Sequence, residues 1–192
     1  VVATANRHKV EEIRAMLADL PIMVRSLAEF PGAPEVIEDG TTYRENALKK
    51  AWSAAKFTGK PALADDTGLE VDALGGQPGL YAARFAGEGR TFQDNVRKLL
   101  LLLEGVPSPQ REARFVCVIA LVDPNGREQV VEGELCGRIT ESQAGRGGFG
   151  YDPVFYVPEV GKTLAELTAE EKNRISHRRR ALDKARTIIL EN

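Results

Sequence analysis

Cysteine is scarce in this chain. The two present, Cys117 and Cys136, sit in apolar or β-like segments with no CxxC pair and no metal-ligand spacing. Buried, reduced thiols in a cytosolic protein are expected, with a disulfide the alternative that counting leaves open. Charge of one sign is also lacking. The 26 Lys and Arg against 28 Asp and Glu leave a formal charge of −2, so there is no overall basic field for coating nucleic acid. Any polyanion bound here should be small and held locally. The leucine run Leu99 to Leu103 is far too short to cross a bilayer, and no signal peptide precedes the first strand-like segment. No membrane partner and a cytoplasmic location are therefore expected. The sequence opens at Val1 rather than Met, and the first strand is expected to have leading residues before it. Repeats, low-complexity tracts and long linkers are absent too.

What is present is ordinary for a soluble globular protein: 43% hydrophobic and 28% charged residues in 192. That length supports one substantial core, or one domain with a lobed shape. Val1-Val2-Ala3 reads as the end of a buried strand and Thr4-Ala5-Asn6 as the turn leaving it. From Lys9, residues Val10, Ile13, Met16 or Leu17, and Leu20 recur at helical spacing until Pro21. Ile22 to Ser26 is a candidate second strand. Thr42 and Glu45 form a capping-box pattern that opens a helix from Tyr43 to about Thr58, ended by Gly59 and Pro61, with Ala47, Leu48, Ala51, Ala54 and Ala55 on its apolar face.

The helix delivers the chain into Pro61 to Asp72, where a short apolar run meets Asp65-Asp66-Thr67-Gly68. This is how a strand terminus in an α/β protein presents acids to a site. Successive side chains on an extended segment point to opposite faces, so Asp65 and Asp66 should do different jobs. A polar turn closing the strand is the plainer alternative. Leu69 to Leu74 looks extended. Thr91 caps a further helix with Val96, Leu99, Leu100 and Leu103 inward. Phe115 to Val122, the Asp123-Pro124-Asn125-Gly126 turn and Gln129 to Ile139 form a hairpin, which makes the sheet mixed. Val154 to Val157 is one more strand. Thr168 with Glu171 opens a closing helical segment that Ser176 can break and restart.

Four clusters have the makeup of a site for a magnesium-bound phosphate chain. Thr4-Ala5-Asn6-Arg7-His8-Lys9 is a small-residue turn at a helix start, where backbone N–H groups and a Lys can face an anion. It lacks the P-loop pattern. Glu38, Asp65 and Asp66 bracket the long helix, and magnesium takes a few carboxylate oxygens with waters and phosphates. A solvated loop is the alternative reading of Glu38 and Asp39. Gly145 to Gly150 fits Gly-x-Gly-x-x-Gly, but Tyr151-Asp152-Pro153-Val154-Phe155 looks extended where a dinucleotide fingerprint needs a helix. A loop carrying Phe149 and Asp152 suits a flat heterocycle better, or else Phe149 is a core anchor. In Lys172 with His177-Arg178-Arg179-Arg180, one or two cations turned inward would offset the roughly −4 charge of a triphosphate, the rest lying in solvent.

Taken together these stretches resemble the inosine triphosphate pyrophosphatase family, also called Ham1-like or RdgB-like. The carriers are TANRHK at Thr4 to Lys9, ENALKKA at Glu45 to Ala51, ALADDTGLEVDALGGQPG at Ala62 to Gly79, GGFGYDPVF at Gly147 to Phe155, and EEKNRISHRRRAL at Glu170 to Leu182. The resemblance covers essentially the whole chain. It implies hydrolysis of non-standard purine nucleoside triphosphates (ITP, dITP, XTP) to the monophosphate and pyrophosphate, with Mg2+, by a homodimer. Thr4, Ala5, Asn6, Arg7, His8 and Lys9 would grip the phosphates; Glu38 and Asp66 would hold the metal; Asp66 would also be the base. Thr67, Phe149, Gly150, Tyr151, Asp152, Lys172, His177 and Arg178 would contact the nucleotide. Ala5 stands where the family usually has Gly, which alone tolerates positive φ freely. Thr67 stands where many relatives have Ser and keeps the hydroxyl.

The expected fold is α/β, a mixed, twisted sheet flanked by helices, with two lobes and the active-site cleft between them, residues 1–192 forming a single domain. The alternatives are a Maf-like or other nucleotide pyrophosphatase of different base specificity, and a non-catalytic nucleotide-binding module.

Overall fold

The computed structural model describes residues 1–191. Local chemistry accounts for most of its elements. Helix α1 (Arg7–Met16) starts where the Asn6 side chain accepts from the Lys9 N–H, and it buries Val10, Ile13 and Met16. Helix α2 (Tyr43–Thr58) is capped by Thr42, whose side chain accepts from the Glu45 N–H, and ends at Gly59 in the left-handed region with φ 64°. Helix α3 (Phe92–Leu102) opens on a complete capping box between Thr91 and Asp94. Helices α4 (Ala169–Ile175) and α5 (His177–Leu190) are separated by Ser176, whose extended backbone (ψ 157°) breaks the helical run.

The strands are β1 (Ala62–Val71), β2 (Pro78–Gly79), β3 (Glu112–Val122), β4 (Glu128–Ile139), β5 (Phe155–Val157) and β6 (Lys162–Thr163). They form one six-stranded sheet in the order β2-β1-β3-β4-β5-β6. Pairing is antiparallel at β1–β2, β4–β5 and β5–β6, while Val2 adds parallel bridges to Leu63 and Ser26. The architecture is thus the mixed α/β type expected.

The chain forms two compact units, each assembled from separated segments. The first takes Val1–Asp66, Cys117–Gly133 and the chain from His177; the second takes Thr67–Val116 and Glu134–Ser176. Strands β1, β3 and β4 have residues in both. Each unit has its own apolar core. In the first, Ile13 and Leu17 pack with Leu63, Cys117, Ile119 and Leu182. In the second, Leu69, Leu99, Phe115, Leu135, Phe155 and Leu164 pack together. Burying each such side chain contributes roughly 1.5–3 kcal/mol, which is why the apolar spacing of the sequence locates these faces.

Several expectations change. Asp65 and Asp66 lie mid-strand, four and five residues into the ten of β1, because Thr67 and Gly68 continue the ladder instead of turning. Val1 to Ala3 makes isolated bridges only, and Ile22 to Ser26 is not a strand: only Ser26 pairs, before a 3-10 turn at Leu27–Glu29. Leu69 to Leu74 is extended only to Val71, with a 3-10 turn at Asp72–Leu74. Of the two cysteines, neither in a disulfide, Cys117 is buried and Cys136 is exposed. The period of two along β4 explains this: Gly133 and Leu135 face inward, Glu134 and Cys136 outward.

Candidate active site

In strand β1 the consecutive carboxylates Asp65 and Asp66 point to opposite faces, and each organises a different set of cations in the first unit. Asp65 is fully enclosed. Its Oδ2 accepts from Lys9 Nζ at 2.9 Å, and from Arg178 Nη2 at 3.0 Å and Nε at 3.3 Å. Arg178 also donates through Nη1 to Glu12 on α1. Burial alone would push the Asp65 carboxyl up, but the charges of Lys9, Arg178 and Lys50 hold it far below the usual carboxylate range. The same pairing outweighs burial for Arg178 and raises its pKa. One strand and two helices are therefore fixed to one another by a buried acid.

Asp66 faces α2. Its Oδ1 accepts from Lys50 Nζ at 3.0 Å, and its Oδ2 from Asn46 Nδ2 at 3.4 Å. The same Lys50 ammonium reaches Glu38 Oε2 at 2.9 Å. Asn46 Oδ1 accepts from the Gly40 N–H at 2.8 Å, so one amide ties the Glu38 loop and the Asp66 strand to the helix. Burial raises the Asp66 pKa; Lys50 opposes this, the Glu38 charge adds to it, and the net direction is up. Burial also pushes Glu38 up, yet Lys50 and a hydrogen bond shared with Asp66 bring it below its ordinary value. For Lys50, the charges of Asp66, Asp65 and Glu38 overcome burial and raise the pKa.

Two carboxylates converging on one cation position is a donor set that suits a hard divalent ion. Magnesium is held through one or two carboxylates with waters and substrate phosphates rather than by an all-protein cage. No cluster of three or more His, Cys, Asp or Glu poised for a metal occurs among the described residues.

The Thr4 to Lys9 turn is built by its own side chains. Thr4 Oγ1 accepts from the Asn6 N–H at 3.2 Å and Asn6 Oδ1 from the Lys9 N–H at 3.3 Å, leaving Arg7 and His8 exposed. No non-glycine residue among those described has positive φ, so Ala5 needs no glycine-like conformation. The first turn of α1 contains no acidic residue.

In the second unit, Asp152 Oδ2 accepts from Lys172 Nζ at 2.6 Å and from the Phe149 N–H at 2.8 Å, both side chains of the ion pair being buried. The Lys172 ammonium lies 4.6 Å from the centroid of the half-buried Phe149 ring, and Phe92 approaches that ring at 6.2 Å. Gly148 makes the arrangement possible: its φ is +66°, and a Cβ there would lie 2.0 Å from Asp152 Oδ2. After the glycines comes a 3-10 turn, Asp152–Val154, and then β5, so no helix follows them. Tyr151 is buried with its hydroxyl donating to the Ala82 carbonyl at 2.7 Å, and burial raises its pKa. Of the basic run, His177 and Arg178 are buried, whereas Arg179 and Arg180 are more exposed.

Lys50, Asn46 and Glu12 are the residues that motif reading passed over. A signal existed for two of them. Asn46 and Lys50 fall at i, i+4 inside the stripe of Ala47, Ala51, Ala54 and Ala55, and a buried Lys on an apolar helix face needs an acid partner.

A mixed-sheet α/β fold bearing paired carboxylates and helix-borne lysines defines the class. The Ham1 family model matches residues 1–188, and the chain belongs to the Ham1 family. Among relatives, a protein of Desulforamulus reducens named dITP/XTP pyrophosphatase is 57% identical over 189 residues, 98% of this chain and 94% of its own length. One of the same name from Geobacter sulfurreducens is 56% identical, covering 95% and 92%. The solved structure of a HAM1 protein from Coxiella burnetii superposes with a TM-score of 0.89 at 42% identity, covering 100% of this chain and 98% of the other.

Proposed function

We propose that this protein hydrolyses dITP, ITP and XTP to the monophosphate and pyrophosphate, removing non-standard purines from the nucleotide pool, as a magnesium-dependent, cytoplasmic homodimer. The observation that carries the chemistry is the convergence of Glu38 and Asp66 on a single cation position. The choice of substrate is supported by the names of relatives more than half identical over nearly the whole chain. No helix among the described residues is long and apolar enough to cross a membrane.

Within the first unit, Glu38 and Asp66 would hold the metal. A bound magnesium supplies Lewis-acid polarisation and charge neutralisation to the phosphates. Asp66 accepts the proton of the water that attacks the α-phosphorus; the bond to the oxygen bridging to the β-phosphate breaks, and pyrophosphate leaves with that electron pair. Burial raises the basicity of Asp66, which suits this task. Lys9 and the Thr4 to Lys9 turn bind the phosphate chain at the N-terminus of α1. Thr67 contacts the substrate beside Asp66. His177 and Arg178 contact the nucleotide from the start of α5, Arg178 with its orientation fixed by Asp65 and Glu12.

Within the second unit, the segment Phe149-Gly150-Tyr151-Asp152 and Lys172 serve the base. Phe149 offers a stacking face, and Asp152 aligns the Lys172 ammonium as a donor. Hypoxanthine and xanthine present a 6-oxo acceptor where adenine presents an amino donor. A site with a fixed donor leaves it unsatisfied against adenine, at about 1–3 kcal/mol for each such mismatch.

The test is a pyrophosphate-release assay with and without Mg2+ across ITP, XTP, dITP, GTP and ATP. Magnesium-dependent release strongly favouring the first three is expected. Stepwise release of phosphate, or equal kcat/KM for ATP and ITP, would overturn the reading, and binding without turnover would favour a non-catalytic module. Light scattering on the purified protein checks the dimer.

A further inference from the structure

We infer that Lys50 is a resident plug of the metal position: in the metal-free protein its ammonium holds Glu38 and Asp66 together, and a divalent cation binds by displacing it. The inference rests on the metal assignment made under the proposed function and adds a role for a lysine outside that ligand pair.

Three observations carry it. Lys50 Nζ lies 2.9 Å from Glu38 Oε2 and 3.0 Å from Asp66 Oδ1, so one monovalent cation occupies the place where the two acids meet. Two carboxylates facing one ammonium are under-neutralised, two negative charges against one positive. A divalent ion would supply the missing charge, whereas an ammonium left beside it would be repelled. Finally, the acids do not depend on Lys50 for their placement. Asn46 accepts from the Gly40 N–H and donates to Asp66 Oδ2, holding the Glu38 loop and the β1 strand to α2 independently.

The displacement demands little of the fold. Lys50 is a flexible four-carbon stem on a helix that need not move, and its ammonium is a strongly hydrated point charge able to leave for solvent or a substrate oxygen. With the plug in place, the buried Asp66 and the partly exposed Glu38 are both paired in the absence of metal. Without it, the two acids would face one another with no cation between them, and the buried Asp66 would carry the cost.

The experiment is a titration of the nucleotide-free protein with Mn2+, free ion being followed by electron paramagnetic resonance, in the wild type, Lys50→Met, Lys50→Arg and Glu38→Gln. Lys50→Met should bind Mn2+ on the order of tenfold more tightly than the wild type, since a competing cation is gone. Its melting temperature without metal should fall, and Mn2+ should raise it by more than it raises that of the wild type. Lys50→Arg, a larger cation able to engage both acids, should bind more weakly than the wild type, and it serves as the test where Lys50→Met does not fold. Affinity unchanged or lower in folded Lys50→Met, or unchanged or higher in Lys50→Arg, overturns the plug. Glu38→Gln separates the two levels. Weakened binding in that variant with unchanged binding in Lys50→Met sinks only the plug, while wild-type binding in Glu38→Gln, or none in the wild type, sinks the metal assignment along with it.

Discussion

Asp65 and Asp66 are consecutive residues whose carboxylates answer to different cations: Asp65 Oδ2 lies 2.9 Å from Lys9 Nζ, and Asp66 Oδ1 lies 3.0 Å from Lys50 Nζ. The pleat of β1 sends one side chain to each face of the strand. One acid is locked into a buried network with Arg178; the other meets Glu38 at a cation position. Their substitutions should therefore fail in different ways.

Asp66→Asn would remove the proposed base and one proposed metal-binding oxygen while keeping shape and the Asn46 contact. Pyrophosphate release should fall by at least about a hundredfold, the lower range for loss of a positioned proton acceptor. Circular dichroism and melting temperature should stay close to the wild type. Near-normal turnover would exclude Asp66 as the base.

Asp65→Asn leaves Lys9 and Arg178 short of their shared anion. Breaking a buried pair by removing one partner costs about 3–5 kcal/mol, measurable by urea unfolding at pH 7. The pH dependence follows from the direction of the shift. The folded pKa of Asp65 is depressed, so its contribution is complete above the unfolded value of about 3.9 and is lost as pH falls toward the folded one. The stability gap between wild type and variant should thus be constant near neutrality and narrow only below about pH 4. A gap that narrows already between pH 7 and 5 would contradict the assignment.

Phe149→Ala tests the proposed stacking face. Base–aromatic stacking is worth about 1–3 kcal/mol, which predicts a rise in KM for dITP of roughly 5- to 150-fold. The value of kcat should change less, because Asp66 and Glu38 are untouched. Steady-state kinetics with dITP and ATP check this, and loss of kcat at constant KM would place Phe149 elsewhere in the cycle.

Gly133→Ala probes how α5 is seated on β4 in the first unit. A Cβ at Gly133 would lie 2.2 Å from the Ala181 nitrogen and 2.5 Å from the His177 carbonyl oxygen, both backbone atoms that cannot rotate away. Overpacking of this kind costs about 1–3 kcal/mol or more, read as a lower melting temperature. Because the displaced helix begins with His177 and Arg178, KM should rise as well.

Chelation by EDTA should abolish pyrophosphate release without unfolding the protein, and excess Mg2+ should restore it. The two apolar cores contain no metal-bridging group, and the Glu38 and Asp66 carboxylates keep Lys50 as a partner. Loss of ellipticity on chelation would show a structural metal instead.

Elements whose causes are local were legible in the chain. Helix α2 runs from the Thr42 cap to left-handed Gly59, as the residues at its ends indicate, and Ser176 divides the last two helices because its own backbone leaves the helical region. The hairpin of β3 and β4 follows from β-prone runs around Asp123 to Gly126. The five motif stretches, and with them the family, are also properties of the linear sequence, confirmed by a family match over residues 1–188.

Tertiary structure decided what depends on partners distant in the chain. Asp65 and Asp66 lie within β1 rather than at its end because neighbouring strands continue the ladder past Thr67, and local turn preference at Thr-Gly is too weak to oppose that pairing. Glu38 is a metal candidate because α2 carries Lys50 back to it over 12 residues, while Asn46 reaches Gly40 over 6. Arg178 joins Asp65 across 113 positions, a relation no spacing rule contains. The exposure of Cys136 was decided by strand register, which one residue of slip would reverse. Short-range caps and turns are written in adjacent residues; the pairing of buried charges is set only when the folded chain removes them from water and leaves each only one or two opposite charges within reach.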